Sequence, residues 1–152
     1  MKPAIWLRVA SVLTLVHAVL HTIGGVFGKP APGPESVAVA AMQANQFLLM
    51  GHMRTFFDFY RGMGLAVSIF LTIEAVVFWQ LASLSKRVGP GLRPILATFT
   101  VAYLAMAINS YEYFFFAPVI VEILIAACIG IAIATVKAPV TVMAEKRVGA
   151  AQ

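Results

Sequence analysis

Two histidines, His17 and His21, stand four residues apart in one long apolar run, and two glutamates, Glu74 and Glu122, stand in two others. Residues spaced by four share a helix face, so both imidazoles project to the same side. A histidine whose neutral form is favoured by burial and whose charged form is favoured by a carboxylate titrates near neutrality, which suits acid/base work or proton transfer. The plainer reading is that these groups hydrogen-bond one another to hold helices in register. The histidine pair also has the spacing of neighbouring metal ligands, with His52 or Glu122 as third donor, but it lacks the remaining positions of H-E-x-x-H. Haem calls for a histidine on a second span, and there is none; no cofactor or metal is specified.

A second charged group is Arg54, Asp58 and Arg61. At these spacings the three share one helical face and pair locally as a solvated ladder. The sharper reading sets Arg54 and Arg61 over the mouth of a bundle, where they hold an anionic headgroup or substrate. The chain has no G-x-G-x-x-G, Walker loop, G-x-S-x-G or S-x-x-K constellation, which disfavours nucleotide-driven work and serine hydrolysis. Its single cysteine, Cys128, excludes an internal disulfide and any C-x-x-C motif and reads as a small buried hydrophobe.

The elements that must position these groups are membrane spans. Of 152 residues, 61% are hydrophobic and 11% charged, with a mean hydropathy of +0.92, whereas a soluble domain is about half apolar and a quarter charged. Too few charges remain to coat a soluble surface, so the net charge of +5 does not point to nucleic acid. About 20 helical residues cross a bilayer core, and four runs qualify: residues 5–27, 62–82, 92–110 and 117–136. The fold class expected is all-α, a four-helix transmembrane bundle forming one domain over residues 1–152. A secretory signal peptide over residues 1–28 is the competing reading, disfavoured by the length of the run, its histidines and the lack of a small-x-small site before Lys29.

Lys2, Arg8, Lys86, Arg87, Arg93, Lys137, Lys146 and Arg147 flank one side of these spans, and Lys29, Arg54 and Arg61 the other. Both termini are therefore expected in the cytoplasm, with Trp6 and Trp79 at that interface and Tyr60, Tyr111, Tyr113 and residues 114–116 at the outer one. The tail after Lys137 is short and mixed in charge, and is expected to fray. Residues 35–61 predict helix lying on, or dipping into, the outer interface.

Helical spacing sorts a polar stripe on each span. Ala10, Thr14, His17, His21, Gly24 and Gly28 align on the first; Thr98, Ala102, Ala105, Asn109 and Glu112 on the third; Glu122, Ala126, Gly130 and Ala134 on the fourth. These faces are expected to meet at the bundle centre. At 1.5 Å per residue, Glu74 lies about 18 Å below the outer boundary, His17 about 15 Å, and His21 and Glu122 about 8 to 9 Å. A carboxylate at the midplane needs a proton, a partner or a wet cavity.

Two stretches carry a resemblance: His21-Thr22-Ile23-Gly24-Gly25 at the end of the first span, and Arg54-Thr55-Phe56-Phe57-Asp58-Phe59-Tyr60-Arg61-Gly62 entering the second. With the four-span layout, they resemble a family of small bacterial membrane proteins similar to the DoxX-like group. The resemblance implies a bacterial inner-membrane four-helix bundle and gives weight to His21, Arg54, Asp58 and Arg61; it implies no particular reaction.

The function expected is binding of an apolar or amphipathic small molecule, lipid or quinone-like, in an outer-half intramembrane pocket. His17, His21, Glu74 and Glu122 line it, Asn109 sits at the rim, and Arg54, Asp58 and Arg61 stand at the mouth. Proton transfer by a histidine and carboxylate is the chemistry such a site would do. The alternatives are a proton-coupled exporter working as a homodimer, with Glu74 titrating against substrate, and a structural subunit of a membrane complex. The partners are membrane lipid and an apolar small molecule, with no nucleic acid.

Overall fold

Long apolar runs whose prolines fall only at the ends fold as helices, and Pro3, Pro34, Pro94 and Pro118 all stand in the first turn of theirs. The computed structural model describes residues 2–137; the tail beyond Lys137, with Lys146 and Arg147, lies outside the described residues. The elements are α1 (Pro3–Leu20), a π-helical turn (His21–Val26), α2 (Pro34–Ala44), β1 (Gln46–Leu49), β2 (His52–Thr55), α3 (Phe56–Val88), a 3₁₀ turn (Gly89–Leu92), α4 (Arg93–Tyr113) and α5 (Phe116–Thr135). The chain is mostly helical and is a membrane protein by the length and composition of three helical runs, Pro3–Val26, Phe56–Tyr113 and Phe116–Thr135. The second run holds α3 and α4, so the sequence spans 62–82 and 92–110 fall within one run, divided by the 3₁₀ turn.

Two compact units divide the chain, one of residues 1–15 with 73–152 and one of Val16–Thr72. In the first, neighbouring segments run antiparallel. Ser11 Oγ of α1 donates to Ala75 O of α3 at 2.6 Å. Phe78 of α3 meets Phe99 of α4 edge-on, centroids 5.0 Å apart. At the far end of α5 an Arg93 Nη2 of α4 donates to Val136 O at 3.1 Å. Leu7, Phe78, Leu96, Ile125 and Ile129 are the large side chains sealed in its core.

The second unit holds the π-helical turn, α2, the two strands and the beginning of α3. The π turn is read directly from its backbone: Phe27 N donates to Thr22 O, five residues back, at 3.1 Å. Three side-chain bonds tie it to α3, from Thr22 Oγ1 to Ser68 Oγ (2.8 Å), between His21 Nε2 and Gly64 O (3.1 Å), and from the Tyr60 hydroxyl to Gly25 O (3.3 Å). The Val26 side chain fills the space over Gly64, where an added Cβ would meet Val26 Cγ2 at 2.9 Å.

The segment of residues 35–61 corrects one expectation. Its first half is the helix α2, but residues 46–55 form an antiparallel hairpin, pairing Gln46 with Thr55, Phe47 with Arg54, Leu48 with Met53 and Leu49 with His52. Met50 and Gly51 turn with φ of 48° and 84°, the positive pair that a two-residue hairpin loop requires. In β2 the polar His52 and Arg54 alternate with Met53, the two-residue period of a strand, and Gly51 supplies the turn that a helix cannot use. The Phe47 ring packs on Phe56 and Phe59, with centroids at 4.9 and 6.0 Å, anchoring the hairpin to the first turns of α3.

Candidate functional site

In the first unit, α3 supplies Glu74, α4 Tyr103 and Ser110, α1 Thr14, and α5 Glu122. The Tyr103 hydroxyl donates to Glu74 Oε2 at 2.7 Å and lies 3.3 Å from Thr14 Oγ1, which itself donates to Ala10 O at 2.9 Å. Ser110 Oγ donates to Glu122 Oε1 at 3.0 Å. Glu122 is 1% exposed, and its Oε2 has no partner among the described residues. One phenol thus links three helices, held on its other side by Phe78 at a centroid distance of 6.0 Å.

The second unit places the arginines. Thr55 is the N-cap of α3 and Asp58 the third residue after it: Thr55 N and Oγ1 donate to Asp58 Oδ2 at 2.8 and 3.0 Å, and Asp58 N donates to Thr55 Oγ1 at 3.1 Å. This reciprocal pair is a capping box. The backbone bond first, and then the hydroxyl bond, hold the exposed Asp58 carboxyl below the usual carboxylate range. The expected three-charge helical ladder is therefore corrected. Arg54 lies in β2, before the helix begins, Asp58 spends its hydrogen bonds on the cap, and Arg61 stacks over the rings of Phe27 and Phe57 at 5.0 and 5.8 Å.

Two shallow grooves open on this unit. One, of about 310 Å³, is lined by Arg54, Asp58, Phe59, Gly62, Met63 and Ala66. The other, of about 190 Å³, is lined by Ala18, Val19, Thr22, Ile23 and Thr72. Arg54 Nη1 donates to the carbonyl of its neighbour Met53 at 2.8 Å; its other N–H groups point to no acceptor among the described residues.

The eight sequence-predicted residues thus divide. Arg54 and Asp58 come together on one groove, whereas Glu74 and Glu122 are held separately along α4, Glu74 by Tyr103 and Glu122 by Ser110. His21 is bonded to the Gly64 carbonyl, and the half-buried His17 leaves its Nδ1 without a partner among the described residues. Asn109 is exposed, as are Thr98, Ala102, Ala105 and Glu112. The stripe expected to face inward on α4 therefore faces outward, and the inward face carries Leu96, Tyr103, Ala107 and Ser110. On α5 a strict step of four carries Ala134 out to the surface, because each such step overshoots the 3.6-residue turn; the buried line runs Glu122, Ala126, Ile129, Ala132. Among the described residues no three of His, Cys, Asp and Glu gather as a metal site, and His52 lies in β2.

Sequence reasoning missed Tyr103, Ser110 and Thr55. The signal for Tyr103 was a phenol in mid-span, since a buried hydroxyl takes a partner. For Thr55 it was the T-x-x-D pattern ahead of an apolar run. Compared with protein-family models, with curated proteins and with solved structures, the chain matches none.

Proposed function

We propose that the chain is a four-span helical protein of the bacterial inner membrane, of the DoxX-like kind, which holds an amphipathic molecule of the lipid or quinone class at the outer end of α3. Four spans are supported by the lengths of α3 and α4, 33 and 21 residues, each sufficient for a bilayer that needs about 20. Cytoplasmic termini are supported by the antiparallel packing of the first unit. It gathers Arg8, Arg93 and Lys137 at the end where Arg8 stacks on Trp79 at 5.1 Å, a cationic and aromatic edge suited to the inner interface.

The observation that carries the binding reading is the groove at Arg54. A guanidinium has five N–H donors, and here those not bonded to the Met53 carbonyl face a trough that Phe59, Met63 and Ala66 also line. A phosphate or quinone carbonyl would accept the hydrogen bonds, and an apolar chain would follow the helix into the membrane.

Native mass spectrometry of the protein in lipid nanodiscs, with extraction of what it retains, tests this. Arg54→Gln should lower the retained stoichiometry about tenfold, the size of one charge-assisted hydrogen bond, and Ala66→Trp should lower it by filling the trough. Equal retention by wild type and both variants at equal folded yield overturns it. The second reading, a proton-coupled exporter working as a dimer, is favoured by the bond between the half-buried Glu74 and the buried Tyr103. It predicts an empty wild-type spectrum and pH-dependent transport.

A further inference from the structure

The groove at Arg54 carries one charge of each sign, Arg54 and Asp58, and its remaining lining is apolar. The hydrogen bonds of neither go to the other. Arg54 Nη1 donates to the Met53 carbonyl at 2.8 Å, and Asp58 Oδ2 accepts both Thr55 bonds, at 2.8 and 3.0 Å. The remaining guanidinium N–H groups are left as donors and Asp58 Oδ1 as an acceptor, without partners among the described residues. Two bonds donated to the Asp58 carboxylate favour its ionised form. Arg61 adds nothing to this balance, since it stacks over Phe27 and Phe57 and does not line the groove.

Asp58, Gly62 and Ala66 follow one another at steps of four, with Phe59 and Met63 beside them, so the lining is one face of α3. A Cβ on Gly62 would meet nothing within 4 Å, which leaves the floor open between the charged end and Ala66. That face rises about 12 Å from Asp58 to Ala66.

Charge complementarity separates the molecules that this groove could hold. A quinone has only acceptors; it would bond Arg54 and leave the carboxylate beside it without a donor, which is costly once water is displaced. A headgroup with a phosphate alone would meet Arg54 but set its own charge against Asp58. A headgroup with a phosphate and an ammonium matches both. A quaternary ammonium has no N–H for Asp58 Oδ1 and is best held by an aromatic cage. The one ring lining the groove is Phe59, and it is stacked on Phe47 at 6.0 Å.

From this pairing of signs we infer that the groove holds a phospholipid with an ethanolamine headgroup, its phosphate on Arg54, its primary ammonium on Asp58 and its chains along Phe59, Met63 and Ala66. The inference rests on the binding proposed at Arg54 and narrows it to a zwitterion. The two oxygens of Asp58 then have separate tasks, Oδ2 capping α3 and Oδ1 reading the headgroup.

Native mass spectrometry in nanodiscs of equal parts phosphatidylethanolamine and phosphatidylglycerol tests it. The wild type should retain the ethanolamine lipid about tenfold over the glycerol lipid, the scale of one hydrogen bond to a charged group. Asp58→Asn, whose side-chain carbonyl still accepts from Thr55, should keep bound lipid and lose the preference. Arg54→Gln should lose both lipids. A second competition, phosphatidylethanolamine against phosphatidylcholine on the wild type, needs no variant and should favour the primary ammonium to a similar degree. Retention without preference, a preference for phosphatidylglycerol, equal retention of the choline lipid, or a preference unchanged in Asp58→Asn overturns the inference and leaves the groove reading standing. Equal retention by wild type and Arg54→Gln overturns the groove reading and the inference with it.

Discussion

Asp58 illustrates how the partner of a charged residue decides its role. Its spacing from Arg54 and Arg61 permits ion pairing, but a free helix N-terminus nearby offers backbone donors that a capping carboxylate satisfies, and Thr55 takes both of its bonds. Replacing Thr55 with Ala should cost about 1 kcal/mol of stability, the usual worth of an N-cap, measured as a lowered Tm in detergent. The carboxyl of Asp58 is held below its ordinary value by the folded state, so the cap's contribution is present above the unfolded carboxylate range. It is lost as pH falls through the folded-state value. Tm plotted against pH should therefore drop in that acid window, and Asp58→Asn should remove this part of the drop. A profile unchanged by the substitution would show that the cap does not hold α3.

At the scale of elements, the meeting of the π turn with α3 depends on what Gly64 lacks. Val26 occupies the space of a Cβ there, and the shared approach lets His21 reach the Gly64 carbonyl and Thr22 reach Ser68. Gly64→Ala should destabilise by about 1 to 3 kcal/mol through overpacking. Val26→Ala in the same chain should recover part of that loss, a coupling expected of residues in contact. Thermal melts of the two single variants and the double variant measure it, and strictly additive losses would refute the close approach. The hairpin is the other element with a local signal, in the alternation of residues 52–54 and in Gly51. The helix-forming Ala-rich stretch before it and the apolar run after it invite one continuous helical reading. The choice between the two rests on local turn geometry at Met50 and Gly51 and on the packing of Phe47 against Phe56 and Phe59.

For the molecule as a whole, the proposed topology puts the hairpin tip outside and the turn between α3 and α4 inside. With Cys128 replaced by Ala, Met50→Cys should react with a membrane-impermeant maleimide in intact cells, whereas Lys86→Cys should react only after the membrane is opened. The reverse pattern would invert the orientation, and labelling of both in intact cells would remove a span between them.

Composition and run length by themselves determined that this chain is helical and belongs in a membrane, because an apolar run of about 20 residues has no other stable home. They also marked Glu74 and Glu122 as the carboxyl groups that need partners. Which face of each helix turns inward was left to the tertiary structure. In a soluble protein the apolar stripe marks the interior, but lipid is as apolar as a packed core, so hydrophobic periodicity is nearly silent in a span. Polarity was the remaining guide on α4, and it selected Asn109 and Glu112, which are exposed, over Tyr103 and Ser110, which are buried. Only the packing of α1, α3 and α4 around one phenol decided that Glu74 would find its partner there.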